Sequence, residues 1–173
     1  MVIGSSYSRL RKWSEKVGTL RQKEMQQVGV QEDVFGLEEV IYFEKAMQFC
    51  YQSLAMGAHN RMFRQRCQDF FKRSLTHERD LKEFLKGNIP NQQSFVDTYY
   101  QGFSLPTIEG AVEPILDLGL AVAWYRLHLY QDLRGYAQIK KRILFNLLIA
   151  HAKDEISFLE NEIEISKMER LRV

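Results

Sequence analysis

LEEVIYFEKAMQFCYQSL, running from Leu37 to Leu54, is the stretch on which the reading of this chain turns. At helical spacing Leu37, Val40, Glu44, Met47, Tyr51 and Leu54 fall three and four apart, forming one inward stripe of an amphipathic helix. A carboxylate, Glu44, stands in the middle of that stripe, where an apolar residue is expected. An ionised Glu inside a helical bundle is costly unless a metal, a cation or hydrogen bonds compensate it. Glu44 is therefore the residue that has to be explained.

Working outward, the spacing predicts four long helices. The first spans about Leu37 to Met56 and ends at Gly57, a good left-handed cap. The second spans about His59 to Lys86 and ends at Gly87. Asn88 to Gly110, with Pro90 and Pro106, reads as a long connection. The third helix spans about Glu113 to Arg134, with Pro114 in its first turn and Gly135 as terminator; the fourth spans about Ala137 to Arg170. Short loop, long loop, short loop is the wiring of two antiparallel hairpins joined by a crossover, a ferritin-like four-helix bundle. The expected fold is all-α, with the bundle over residues 37–173 and its crossover at about 88–112. Residues 1–36 are expected to add a short N-terminal helix and a linker, Val28 to Gly36. Leu10, Trp13, Val17 and Leu20 share one face of that helix, and Arg9, Arg11, Lys12, Lys16, Arg21 and Lys23 lie elsewhere on it. It reads as packed on the outside of the domain; the alternative is docking on a partner or a membrane surface.

Bulk properties fit one domain. The chain has 173 residues, 45% of them hydrophobic, enough for a full core. A net charge of +2 gives no argument for nucleic-acid binding. Cys50 and Cys67 have no CxxC spacing and read as reduced, buried thiols. There is no signal-peptide core after Met1 and no apolar run of the roughly 18 residues that a membrane span needs. The expectation is a soluble cytoplasmic protein.

The helices also repeat. Shifted back by 79, the third helix lays Leu116 on Leu37, Ala123 on Glu44, Tyr130 on Tyr51 and Leu133 on Leu54. Shifted back by 74, HAKDEISFL (His151 to Leu159) falls on HERDLKEFL (His77 to Leu85), and Phe145 on Phe71. Two helix pairs on one template make a pseudo-twofold bundle.

FEKAMQFCYQSLA (Phe43 to Ala55) is similar to the first-helix pattern of the rubrerythrin-like branch of the ferritin-like superfamily, in which a metal-ligand Glu precedes an aromatic-Tyr pair. SLTHERDLKEFL (Ser74 to Leu85) resembles its second-helix pattern, Glu-x-x-His before a Leu. The family's di-iron centre takes a Glu from each of two helices and Glu-x-x-His from each of the other two. Position by position, the resemblance implies a degenerate site. Glu44, Glu78 and Glu155 are the residual metal-site positions, Glu155 standing where a His is expected. Leu81, Ala123 and Ala152 occupy lost ligand positions. Tyr51 and Tyr130 look like the family's supporting tyrosines. His77 and His151 each precede a site position by one residue, about 100° round the helix, and are expected to face a neighbouring helix or solvent. His128 points away.

Three inward acids need a compensating charge. Arg126 occupies the stripe position matching Met47, one turn beyond Ala123, where a guanidinium would replace the lost metal charge. The other reading rotates the helix so that Leu127 points in and Arg126 sits at the edge. No phosphate loop, nucleophile elbow or Cys-His pairing competes. The resulting expectation is a non-catalytic structural or interaction protein without a cofactor, paired with a second copy of itself. Its rival is an oxidoreductase that holds iron or manganese in a reduced all-carboxylate site. A third reading is an unrelated helical bundle whose N-terminal helix binds a partner or a membrane.

Overall fold

The computed structural model describes residues 32–86, 112–136 and 139–171. The expected N-terminal helix and most of the expected crossover lie outside the described residues. Among those described are four α-helices and no strand: α1, Glu32–Gly57; α2, Arg61–Lys86; α3, Val112–Tyr136; and α4, Ile139–Arg170. No described helix is long and apolar enough to cross a membrane.

Helix α1 starts at Glu32 rather than at Leu37, so residues 32–36 are helical and not linker. A lone Gly costs a helix interior only about 1 kcal/mol, so α1 runs through Gly36, whereas α3 ends at Tyr136, one residue beyond the expected terminator Gly135. The α1–α2 turn has a local cause. Asn60 caps α2, its side-chain Oδ1 accepting from the Met62 N–H at 2.8 Å and the Phe63 N–H at 3.4 Å. The Arg64 guanidinium folds back 2.6 Å onto the Ala58 carbonyl.

Side-chain contacts fix the arrangement. Along α1 and α2, Tyr51 stacks on Phe70 at 5.2 Å, closer to the turn than the Gln48–Glu78 contact. Across α1 and α3, Tyr125 meets Phe43 at 4.8 Å near the middle of both helices, and Val112 lies beside Gly57 at one end. Across α2 and α4, Phe63 stacks on Phe158 at 5.6 Å, and Phe84 meets Phe145 edge-on at 6.0 Å. Between α3 and α4, Glu113 accepts from Ser166 at 2.6 Å, and Arg134 reaches Asn146. In each of these four pairs rising numbers on one helix meet falling numbers on the other, so neighbouring helices run antiparallel. It follows that α2 ends and α3 begins at opposite ends of the bundle. At 1.5 Å per residue the 26 residues of α2 span about 39 Å between those ends.

The core follows the sequence stripe. Val40, Met47, Tyr51 and Leu54 of α1 are fully buried, as are Phe70 and Leu81 of α2, Val122 of α3 and Leu148 and Leu159 of α4. Each large side chain removed from water contributes about 1.5–3 kcal/mol. Cys50 and Cys67 are free buried thiols, and burial pushes both up to about 12, far from the range of a reactive thiolate.

Gly119 sits mid-α3 where the helices come close. A methyl added there would meet Leu159 at 3.7 Å and Cys50 at 3.8 Å, ordinary van der Waals contact. Gly119→Ala should therefore raise stability by about 0.5–1 kcal/mol through helix propensity. Urea unfolding checks this: a loss of stability would show that α3 packs more tightly than these distances imply.

Candidate functional site

Midway along the bundle the apolar stripes give way to a polar layer. Arg126 of α3 is completely buried, as are Glu44 of α1 and Glu155 of α4. One guanidinium nitrogen, Nη1, donates to Glu44 Oε2 at 2.9 Å, and the other, Nη2, donates to Glu155 Oε2. Arg126 thus points inward and bridges two helices. Leu127 is buried beside it, so the two are not alternatives: α3 buries both neighbours at once.

Each carboxylate has further donors. The Tyr51 hydroxyl donates to Glu155 Oε2 at 2.8 Å, and the Tyr130 hydroxyl donates to Glu44 Oε1. Ser74 Oγ of α2 lies 2.5 Å from Glu44 Oε2 and 3.0 Å from the Glu44 carbonyl. His77 Nδ1 approaches Glu44 Oε1 at 3.6 Å, just beyond hydrogen-bonding distance. Glu44 is therefore held by groups from α2 and α3 together.

The electrostatics follow. Burial alone would push Glu44 up, but Arg126, the His77 contact and the Ser74 bond outweigh it and hold the carboxyl below its ordinary value. Burial likewise opposes the charge on Arg126, and Glu155 and Glu44 outweigh it, raising the guanidinium further. Burial and then Glu155 push the Tyr51 hydroxyl well above its usual range, so it stays a donor. Glu44 and Arg126 each keep the other charged.

The third expected acid is elsewhere. The buried stripe of α2 runs Cys67, Phe70, Ser74, His77, Leu81, so His77 takes the inward place and Glu78 turns to the edge. There Glu78 accepts from Gln48 at 2.7 Å and from Lys82; burial opposes these two contacts, which nonetheless hold it below its ordinary value. His77, expected to lie away from the acids, is only 4% exposed and faces Glu44. His151, half-buried on α4, faces the neighbouring helix as expected, with Nδ1 2.8 Å from His77 Nε2. The positions read as lost ligands, Leu81, Ala123 and Ala152, are all fully buried. Tyr51 and Tyr130 join the layer through its two acids. The sequence reading misses Ser74 and His77, although the three-four spacing from Cys67 to Leu81 carries the signal.

Among the described residues no group of three or more His, Cys, Asp and Glu side chains is arranged to hold a metal ion. A cavity of about 830 Å³ opens near the α1–α2 turn, lined by Phe63, Leu116, Phe158 and Glu162 among others, and none of Arg126, Glu44 and Glu155 lines it. No family model, curated protein or solved structure matches this chain.

The lowered Glu44 value sets a pH dependence. A carboxyl depressed on folding adds stability above its unfolded value, near 4.5, and that stability is lost as pH falls through the folded value. Urea midpoints measured from about pH 6 down to pH 2 should fall more steeply for wild type than for Glu44→Gln. Parallel acid limbs would show that Glu44 is not held ionised.

Proposed function

We propose that this chain is a ferritin-like bundle of the rubrerythrin-like kind that has kept the shape of that family and lost its di-iron chemistry, serving as a non-catalytic structural or interaction protein. The observation that carries the reading is the Arg126 guanidinium bonded to Glu44 and Glu155. A di-metal centre puts positive charge between inward carboxylates; here an arginine supplies it. The antiparallel neighbours, with α2 ending and α3 starting at opposite ends, support the same wiring.

The residues present do not suit the family's metal pair. Ala123 and Ala152 offer no ligand atoms, and Glu78 is engaged with Gln48 and Lys82 at the edge. The carboxylate oxygens of Glu44 and Glu155 that do not bind Arg126 still lie beside that fixed cation, which repels a second one. On this reading the buried layer serves as architecture, and the working surface is the outside of the bundle. A second copy of the chain is the proposed partner.

Anaerobic loading with ferrous iron, manganese and zinc, followed by metal analysis by mass spectrometry, tests the reading. Wild type and Glu44→Ala, both checked as helical by circular dichroism, should retain no stoichiometric metal. A metal held by wild type and lost in Glu44→Ala would overturn the proposal in favour of an iron or manganese oxidoreductase.

A further inference from the structure

The pair His77 and His151 has no part in the charge replacement just described, yet it touches the same carboxylate. The two rings face each other across α2 and α4, centroids 5.1 Å apart and planes 17° from parallel. They are also matching positions of the internal repeat. We propose that His151 is a positioning residue, donating its Nδ1–H to Nε2 of His77 and so fixing His77 in the tautomer whose own Nδ1–H points at Glu44.

Counting donors and acceptors leads there. An ionised carboxylate accepts at about four lone-pair sites and donates nothing. Three sites on Glu44 are taken by Arg126, Tyr130 and Ser74. The remaining place on Oε1 is faced, at 3.6 Å, by His77 Nδ1, a buried atom with no hydrogen-bond partner. A bare Nδ1 there would set a lone pair against a carboxylate oxygen inside the core, where water does not relieve the repulsion. The proton therefore belongs on Nδ1. A neutral imidazole with its proton on one nitrogen accepts at the other, so His77 Nε2 is an acceptor, and the atom 2.8 Å away, His151 Nδ1, is the donor.

The surroundings agree. His77 is faced by Glu44 on α1, with Arg126 and Tyr130 of α3 bonded to that carboxylate. His151 is on α4 near Asp154, and Arg73 lies on His77's own helix. Burial, and then the charge of Arg73, hold His151 below its ordinary value, favouring the neutral ring that a one-way relay needs. The result is a chain of donors running from the half-buried rim at His151 to the buried acid. The relay orients Glu44 whatever partner the protein has.

Long-range proton–nitrogen correlation spectra of the full chain, labelled with nitrogen-15 and recorded at neutral pH, read the tautomers directly. In wild type both His77 and His151 should carry the proton on Nδ1, with His77 Nε2 bare. His151→Asn, whose amide N–H takes the place of Nδ1–H, should leave His77 in that state, and His151→Leu should release it into a mixture of tautomers. A proton on His77 Nε2 in wild type, in the other tautomer or in the imidazolium, overturns the proposal, as does an unchanged His77 in His151→Leu. The wild-type spectrum decides the matter even where His151→Leu fails to fold.

Discussion

A guanidinium shared between carboxylates from two other helices is the constraint on which this structure depends. Arg126 reaches from α3 to Glu44 on α1 and Glu155 on α4, and Ser74 and His77 bring α2 to the same acid. One polar layer thus ties all four helices. Apolar layers tolerate exchange of similar volumes, because hydrophobic contact has no direction. The charged layer does not. Sliding one helix past another would leave an ion buried without its partner, at a cost of about 3–5 kcal/mol. Register is therefore set here, and bulk cohesion by the stripes on either side.

The surface charges matter less. Asp154 is gripped by Arg66 at 3.1 Å and Arg73 at 2.8 Å, and both arginines lie over the Phe70 ring. These groups are between a quarter and a half exposed, and such pairs contribute roughly 0–1 kcal/mol. Their place along the α2–α4 seam orders two long side chains but does not hold the bundle. The same reasoning applies to Lys167 with Glu164 near the end of α4.

Much of this is legible in the amino-acid sequence. Spacing locates the four helices, and a carboxylate on the Leu37–Leu54 stripe marks the polar layer at once. Arg126 is legible as a candidate because it matches Met47 in the repeat, though spacing alone leaves its direction open. The second helix shows where reading by template fails. Aligning it to a Glu-x-x-His pattern sets Glu78 inward, whereas its own stripe, from Cys67 through Ser74 and His77 to Leu81, sets the phase one residue earlier. The internal stripe reports the helix's actual burial; a borrowed pattern reports another helix's. Treating a glycine as a boundary misplaces the start of α1. Which oxygen meets which nitrogen is not legible at all, since it depends on how four helices approach one another.

The central claim is that Arg126 is paired in the core and that the pairing is electrostatic. The direct measurement is the unfolding free energy of Arg126→Met alone and of Arg126→Met combined with Glu44→Gln and Glu155→Gln. Each amide keeps one acceptor oxygen, for Tyr51 at position 155 and for Tyr130 at position 44, where Ser74 still has the backbone carbonyl 3.0 Å away, and both carboxylate charges are removed. The account predicts a loss of about 3–5 kcal/mol for the single change, most of it recovered in the triple variant. A single variant within about 1 kcal/mol of wild type, or a triple variant no better than the single, would contradict it.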